Sequence, residues 1–372
     1  MNETPADHVE RSMVGVVGCG RISPAYLTAA QRFPSLDLVA CADVDAKRAE
    51  RRAAEFGVPV ACTVDELLSM DVDVVVNLTP PKTHHEVSMA AFAAGQSVYS
   101  EKPLAMNRPQ ARELIAAARD RGVRLGCSPD TFLSPAYQMA RSLVDWGAIG
   151  DPVGAVAFFA SRGPEATHPD PASFYQPGAG PLLDMGPYYV AALVNLLGPV
   201  VRVAGSTAAG GADRLVLSGP RRGQTVPVST PTHVSATLTF ANGAVATLMT
   251  SFEVWAANLP RIEVYGTGGS LSLPDPDEYG GCVLWHQASR TTWRDMPTGA
   301  FPAGRGIGLA DMAAALRTDR PHRADGELAM HVLDILLAVL ESDARHEHVV
   351  VESTFTPRRP VPATGVEHDP GK

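Results

Sequence analysis

Short apolar runs alternate with helical periodicity through the first third of the chain. "MVGVVG" at residues 13–18 precedes a helical pattern from Pro24 to Arg32, "LDLVACAD" at 36–43 precedes Ala46 to Phe56, and "VDVVVNLTP" at 72–80 precedes Thr83 to Ala94. Apolar strands separated by helices read as βαβ units, whose strands are parallel because each crossover helix carries the chain back to the starting edge. Local signals agree. Thr63 and Glu66 have the spacing of a reciprocal helix cap, Gly95 follows "EVSMAAFAA" where a helix would leave through a left-handed residue, and Asn107-Arg108-Pro109 opens "QARELIAAARDRG".

From "GDPVGAVAFFASRG" at 150–163 onward the texture changes to longer alternating segments joined by tight turns. "THVSATLTF" and "VATLMTSFEV" flank an Asn242-Gly243 turn, and "RIEVYGTGGSLSLPD" folds into a second hairpin. Helical patterns cover Ser134 to Trp146, Leu182 to Leu197, Leu309 to Leu316 and Leu328 to Glu341. The expectation is an α/β protein with an N-terminal, doubly wound parallel-sheet domain over 12–133. A C-terminal α+β domain with a large, mostly antiparallel open sheet follows over 134–357, and residues 1–11 and 358–372 are expected to be loose tails.

Composition narrows the function. A chain of 372 residues exceeds what one ordinary core supports, so two domains fit. A formal charge of −9 gives no electrostatic footprint for nucleic acid or an anionic membrane. No apolar stretch is long enough to span a bilayer, and "MNETPADHVERS" is unlike a signal peptide, which places the chain in the cytoplasm. The five cysteines are scattered and mostly inside apolar runs, as free thiols in a reducing compartment would be. Without CxxC or HExxH spacing, no metal site is expected.

The first strand runs into Gly18-Cys19-Gly20-Arg21-Ile22-Ser23 and a helix, a G-x-G-x-x-G turn with serine in the last place. Such glycines let a pyrophosphate approach the start of the helix, and the second strand ends at Asp43, where a dinucleotide site places a carboxylate for the ribose hydroxyls. That acid predicts NAD rather than NADP.

Together with "ADVDAKRAE", "VDVVVNLTPPKTHHEVSMAAFAAGQSVYSEKPLA" and "GAGPLLDMGPYYV", this turn resembles the Gfo/Idh/MocA oxidoreductases over roughly residues 13 to 355. The resemblance implies that Gly18, Gly20, Arg21, Ile22 and Asp43 hold the dinucleotide, while Thr79, Pro80, His84, Glu101 and Lys102 line its nicotinamide half. It also implies a catalytic set of Lys102, Asp184 and Tyr188, with Asp130 and His168 joining them around the substrate. Most members carry D-x-G-x-H with a further aspartate beyond; here Tyr188 and Ala191 stand at those places. A phenol titrates near pKa 10, so acting as a base near neutrality requires a fall of about 3 units, roughly 4 kcal/mol. Lys102 beside it would assist, or Lys102 itself takes the proton. The implied reaction is hydride transfer between nicotinamide and a secondary alcohol of a pyranose sugar, glycoside or cyclic polyol. The alternatives are glycoside processing through transient C3 oxidation without net redox, and a non-catalytic NAD-sensing regulator. The second sheet predicts a homodimer or homotetramer.

Overall fold

The computed structural model describes residues 11–168 and 170–369. Among them the N-terminal sheet is entirely parallel and contains β1 (Ser12–Val17), β2 (Leu36–Ala42), β3 (Val60–Cys62), β4 (Val74–Asn77), β5 (Ser97–Ser100) and β6 (Leu125–Cys127) in the order β3-β2-β1-β4-β5-β6. The order reverses at β1/β4, so a crevice lies beyond the carboxyl ends of those two strands. Its helices are α1 (Ser23–Leu27), α2 (Ala29–Arg32), α3 (Ala46–Phe56), α4 (Val64–Leu68), α5 (His84–Ala93) and α6 (Arg108–Arg121). Both Thr63 and Asn107 cap as their spacing predicted. The single expected helix from Pro24 to Arg32 is interrupted at Thr28, whose Oγ1 donates back to the Pro24 carbonyl at 2.9 Å.

After β6 the chain forms α7 (Pro135–Asp145), β7 (Pro152–Ala160), α8 (Pro181–Leu197) and β8 (Val200–Ala208). A small two-stranded ribbon follows, β9 (Asp213–Leu215) with β10 (Thr225–Pro227), then β11 (His233–Phe240), β12 (Val245–Ser251), β13 (Ile262–Gly266), β14 (Gly269–Leu273), β15 (Val283–Gln287) and β16 (Arg294–Met296). The chain ends its regular structure with α9 (Ile307–Thr318), α10 (Gly326–Arg345) and β17 (Val349–Val350). The second sheet is ordered β16-β15-β14-β13-β7-β12-β11-β8-β17, antiparallel except where β7 runs parallel to β12. One face packs on α7, α8 and α10; α8 is covered on nearly every side, which explains its almost uninterrupted apolar sequence. The opposite face, with Val153, Val201, Val245 and Tyr265, is exposed.

The segment from 358 onward, expected to be loose, is docked as far as 369. Arg358 pairs with Asp325, the Arg323 guanidinium donates to the carbonyls of Arg359 and Pro360, and the Val361 amide donates to Gln138. Val366 is buried, and Glu367 accepts from the Ser35 amide at 2.8 Å. A proline-rich extended segment makes no internal hydrogen bonds, so its carbonyls are free for the buried Arg323. Apart from Arg11, the expected N-terminal tail lies outside the described residues, as do 370–372.

Candidate active site

At the carboxyl end of β1, Gly18 has φ +102°, and a Cβ there would stand 2.7 Å from the Leu78 carbonyl, so only glycine fits. A Cβ on Gly20 would meet nothing within 4 Å, and no side chain caps the start of α1. The open cleft beside this turn has Gly20, Arg21, Arg48 and Arg52 in its walls. Asp43 closes the far end: one oxygen accepts from the Cys19 amide at 2.8 Å, the other from the Asp45 amide at 2.9 Å, with Arg48 at 3.5 Å. Uncapped amides, guanidinium groups and a braced carboxylate suit a dinucleotide's pyrophosphate and ribose.

The other end of the crevice is built on the segment after β5. Glu101 is buried there, accepting from the Tyr26 hydroxyl at 2.8 Å and the Lys102 amide at 2.9 Å. The next side chain turns outward: Lys102 Nζ donates at 2.7 Å both to the Asp184 carboxylate and to the Asp184 carbonyl. Asp184 lies in the first turn of α8, and Pro187, inside the same continuous helix, offers no N–H to the preceding turn. Four residues after Asp184, Tyr188 presents its ring 5.5 Å from Lys102 Nζ. Thus β5 and α8, remote in sequence, bring Lys102, Asp184 and Tyr188 together.

Electrostatics give each group a state. Burial pulls the Lys102 ammonium down, but Asp184 and Tyr188 outweigh it and the net shift is upward. Burial pushes the Tyr188 phenol up to about 12, although Lys102 and Arg305 pull against it. Both groups are therefore protonated at neutral pH, contrary to the expected lowering of the phenol.

Other expected site residues fall differently. Thr79 and Pro80 border the crevice just past β4, with Thr79 Oγ1 donating to Asn77. His84 is 1 % exposed, with Nδ1 2.7 Å from the Pro103 carbonyl and Nε2 2.8 Å from that of Thr79. Its ring braces the segment carrying Lys102 and has no free edge for a ligand. Asp130 is also a correction: wholly buried, it accepts from the Tyr279 hydroxyl and from the Gly308 amide, so both oxygens are taken by protein. His168 packs edge-on against Phe174 and hydrogen-bonds within its own loop, forming no bond to Lys102, Asp184 or Tyr188 among the described residues. Conversely, the structure adds Arg305, whose Nη2 donates to the Tyr188 hydroxyl at 3.4 Å. The only trace of it in the sequence is an arginine between two glycines ahead of a helix.

Comparison with known proteins identifies the family. A family model described as an oxidoreductase family with an NAD-binding Rossmann fold matches residues 13–128, and a GFO/IDH/MocA C-terminal domain matches 137–272. The chain is a Gfo/Idh/MocA oxidoreductase. This oxidoreductase is 31 % identical to 1,5-anhydro-D-fructose reductase of Ensifer adhaerens over 69 % of its length and 74 % of that protein. It is 34 % identical to trans-1,2-dihydrobenzene-1,2-diol dehydrogenase of Mus musculus, over 50 % of this chain and 56 % of the relative. Among solved structures, levoglucosan dehydrogenase superposes with a TM-score of 0.82 at 22 % identity, covering 93 % of this chain and all of that one. The oxidoreductase binds NAD. No helix among the described residues is long and apolar enough to cross a membrane, and no cluster of potential metal ligands occurs among them.

Proposed function

We propose that this oxidoreductase transfers hydride between NAD and a carbon bearing a secondary alcohol in a sugar, glycoside or cyclic polyol. The observation that carries the reading is the convergence of Lys102, Asp184 and Tyr188 at the carboxyl edge of the parallel sheet. The bound cofactor supplies or accepts the hydride; the protein moves the proton and orients the substrate. A phenol held at about 12 is a proton donor, so Tyr188 protonates the carbonyl oxygen as reduction proceeds. In the oxidative direction it would have to lose about 5 units, roughly 7 kcal/mol, before acting as a base near pH 7. The phenol is thus poised as the proton donor for reduction, and the same group takes the proton back in oxidation. Lys102, charged and tethered to Asp184, stabilises negative charge on the phenol and the substrate oxygen, while Asp184 accepts from a substrate hydroxyl. Gly18, Gly20, Arg21, Ile22 and Asp43 hold the dinucleotide, and Thr79, Pro80 and Lys102 lie along its nicotinamide half. The names of the relatives, a sugar-derived ketone reductase and a diol dehydrogenase, support this substrate class.

The test is a panel of sugars, glycosides and inositols and their keto forms with NAD and NADH, followed at the nicotinamide absorbance. Tyr188→Phe should lower kcat about 10²- to 10⁴-fold; full activity in that variant would remove the phenol from proton transfer. The exposed face of the second sheet is where we place self-association into a homodimer or homotetramer, checked by light scattering.

A further inference from the structure

Lys102 is held at both ends. Nζ is bound by Asp184, and the backbone amide donates at 2.9 Å to Oε2 of Glu101, the residue before it. The sheet itself gives this position little support. β5 ends at Ser100, the Glu101 amide still bonds to the Asn77 carbonyl at 2.9 Å, and Pro103 has no N–H with which to extend the ladder. The direction in which the Lys102 side chain leaves the backbone therefore depends on where the Glu101 carboxylate sits.

That carboxylate is fixed in turn from α1, the short helix that leaves the dinucleotide turn. Its other oxygen accepts from the Tyr26 hydroxyl at 2.8 Å, and the Ser128 hydroxyl lies 2.6 Å from the same Tyr26 oxygen. A phenol has one hydrogen; with that hydrogen on Glu101, Ser128 must donate to Tyr26. The ends of β5 and β6 and the side of α1 thus meet in a directed chain from Ser128 through Tyr26 to Glu101, and the Lys102 amide closes it from the other side. Tyr26 is wholly buried, Ser128 and Glu101 nearly so. Burial, and after it the Glu101 charge, push the Tyr26 phenol well above its ordinary value, so it stays a donor. Phenylalanine would fill the same space with no hydroxyl to desolvate, so packing alone does not account for a tyrosine here. The carboxylate that its hydroxyl orients does.

We propose that Tyr26 is a positioning residue for the hydride-transfer site: through Glu101 it fixes the backbone of Lys102, and with it the direction in which the ammonium is offered to the substrate. The inference rests on the function proposed above. It adds to that site a residue that forms no hydrogen bond of its own to Lys102, Asp184 or Tyr188 among the described residues.

Tyr26→Phe keeps the ring and removes only the donor, and thermal melting checks its folding. It should lower kcat about tenfold, the scale of one hydrogen bond to a charged group, while Kd for NADH stays within about threefold. In Lys102→Met, which has no ammonium left to aim, the same substitution should cost less than about twofold. A brace that served only the fold would cost the same in both backgrounds. Glu101→Gln has one acceptor oxygen where two are needed, so it should show a similar loss that does not add to that of Tyr26→Phe. Amide hydrogen exchange, measured without dinucleotide or substrate, reads the brace directly. Exchange at Lys102 should quicken about tenfold in Tyr26→Phe while the amides of β4 keep their wild-type rates. Wild-type kcat in Tyr26→Phe, a loss of equal size on Lys102→Met, additive losses with Glu101→Gln, or unchanged exchange at Lys102 overturns the inference. Faster exchange there, without turnover of any compound in the panel, upholds the brace and defeats the proposed reaction. Turnover with unchanged exchange does the reverse, and absence of both defeats both.

Discussion

Lys102 has three N–H bonds, and two already point at Asp184, one at its carboxylate and one at its carbonyl. In the proposed reaction the third donates to the substrate, in a direction that α8 fixes. Lys102→Met should therefore cost about 10²- to 10³-fold in kcat/KM, the scale for losing a donor aimed at developing charge, and should push the Tyr188 phenol higher by removing a nearby cation. Steady-state kinetics and tyrosine NMR titration measure the two effects. Lys102→Arg should not rescue, because a planar guanidinium cannot reproduce the tetrahedral geometry that reaches both acceptors. Lys102, Asp184 and Tyr188 were legible in the sequence because each sits in a short motif at a strand end or helix start. Arg305 was not, since only the tertiary fold carries it across more than a hundred residues to Tyr188. Asp130 and His84 were misread for another reason: a polar residue just past a strand looks the same in sequence whether it faces a ligand or ties two loops together.

At the level of elements, α10 carries a buried histidine that links it to β8. His331 Nε2 accepts from the Val200 amide at 3.0 Å, which requires the unprotonated ring nitrogen, while Nδ1 is paired with Ser353. Burial brings its pKa down to about 4, against about 6.5 when unfolded. The unfolded chain thus binds the extra proton first. Stability from this residue is complete above about pH 6.5, falls as pH drops below that, and by pH 4 has lost about 3 kcal/mol. Urea unfolding between pH 4 and 8 should show this slope, and His331→Gln should flatten it. The parallel sheet and the Asn242-Gly243 hairpin were readable because strand-helix alternation and turn chemistry are local. The parallel pairing of β7 with β12 was not, because alternation along a strand is the same whichever way its neighbour runs.

For the whole molecule, the segment 358–369 closes the second part of the chain onto the first. Asp311, wholly buried, pairs with Arg320 and Arg323, and Asp369 pairs with the same two arginines. Removing residues after 357 strips acceptors from buried guanidinium groups and uncovers Val361 and Val366. Truncation there should cost about 3–5 kcal/mol, read as a fall of several degrees in Tm, and should raise KM because α9, which packs on this segment, begins two residues after Arg305.

Asp130 belongs to the parallel-sheet half, yet it grips the Tyr279 hydroxyl and the first turn of α9, so one carboxylate pins the stretch between β14 and α9 near both of its ends. The stretch between β14 and α9 includes the edge strands β15 and β16, so it can be exchanged only together with a matching β14 edge. A chimera taking it from another member of the family should inherit the donor's selectivity while leaving the nucleotide grip untouched, provided the latch residues Asp130, Tyr279 and the glycines around position 305 travel as a set.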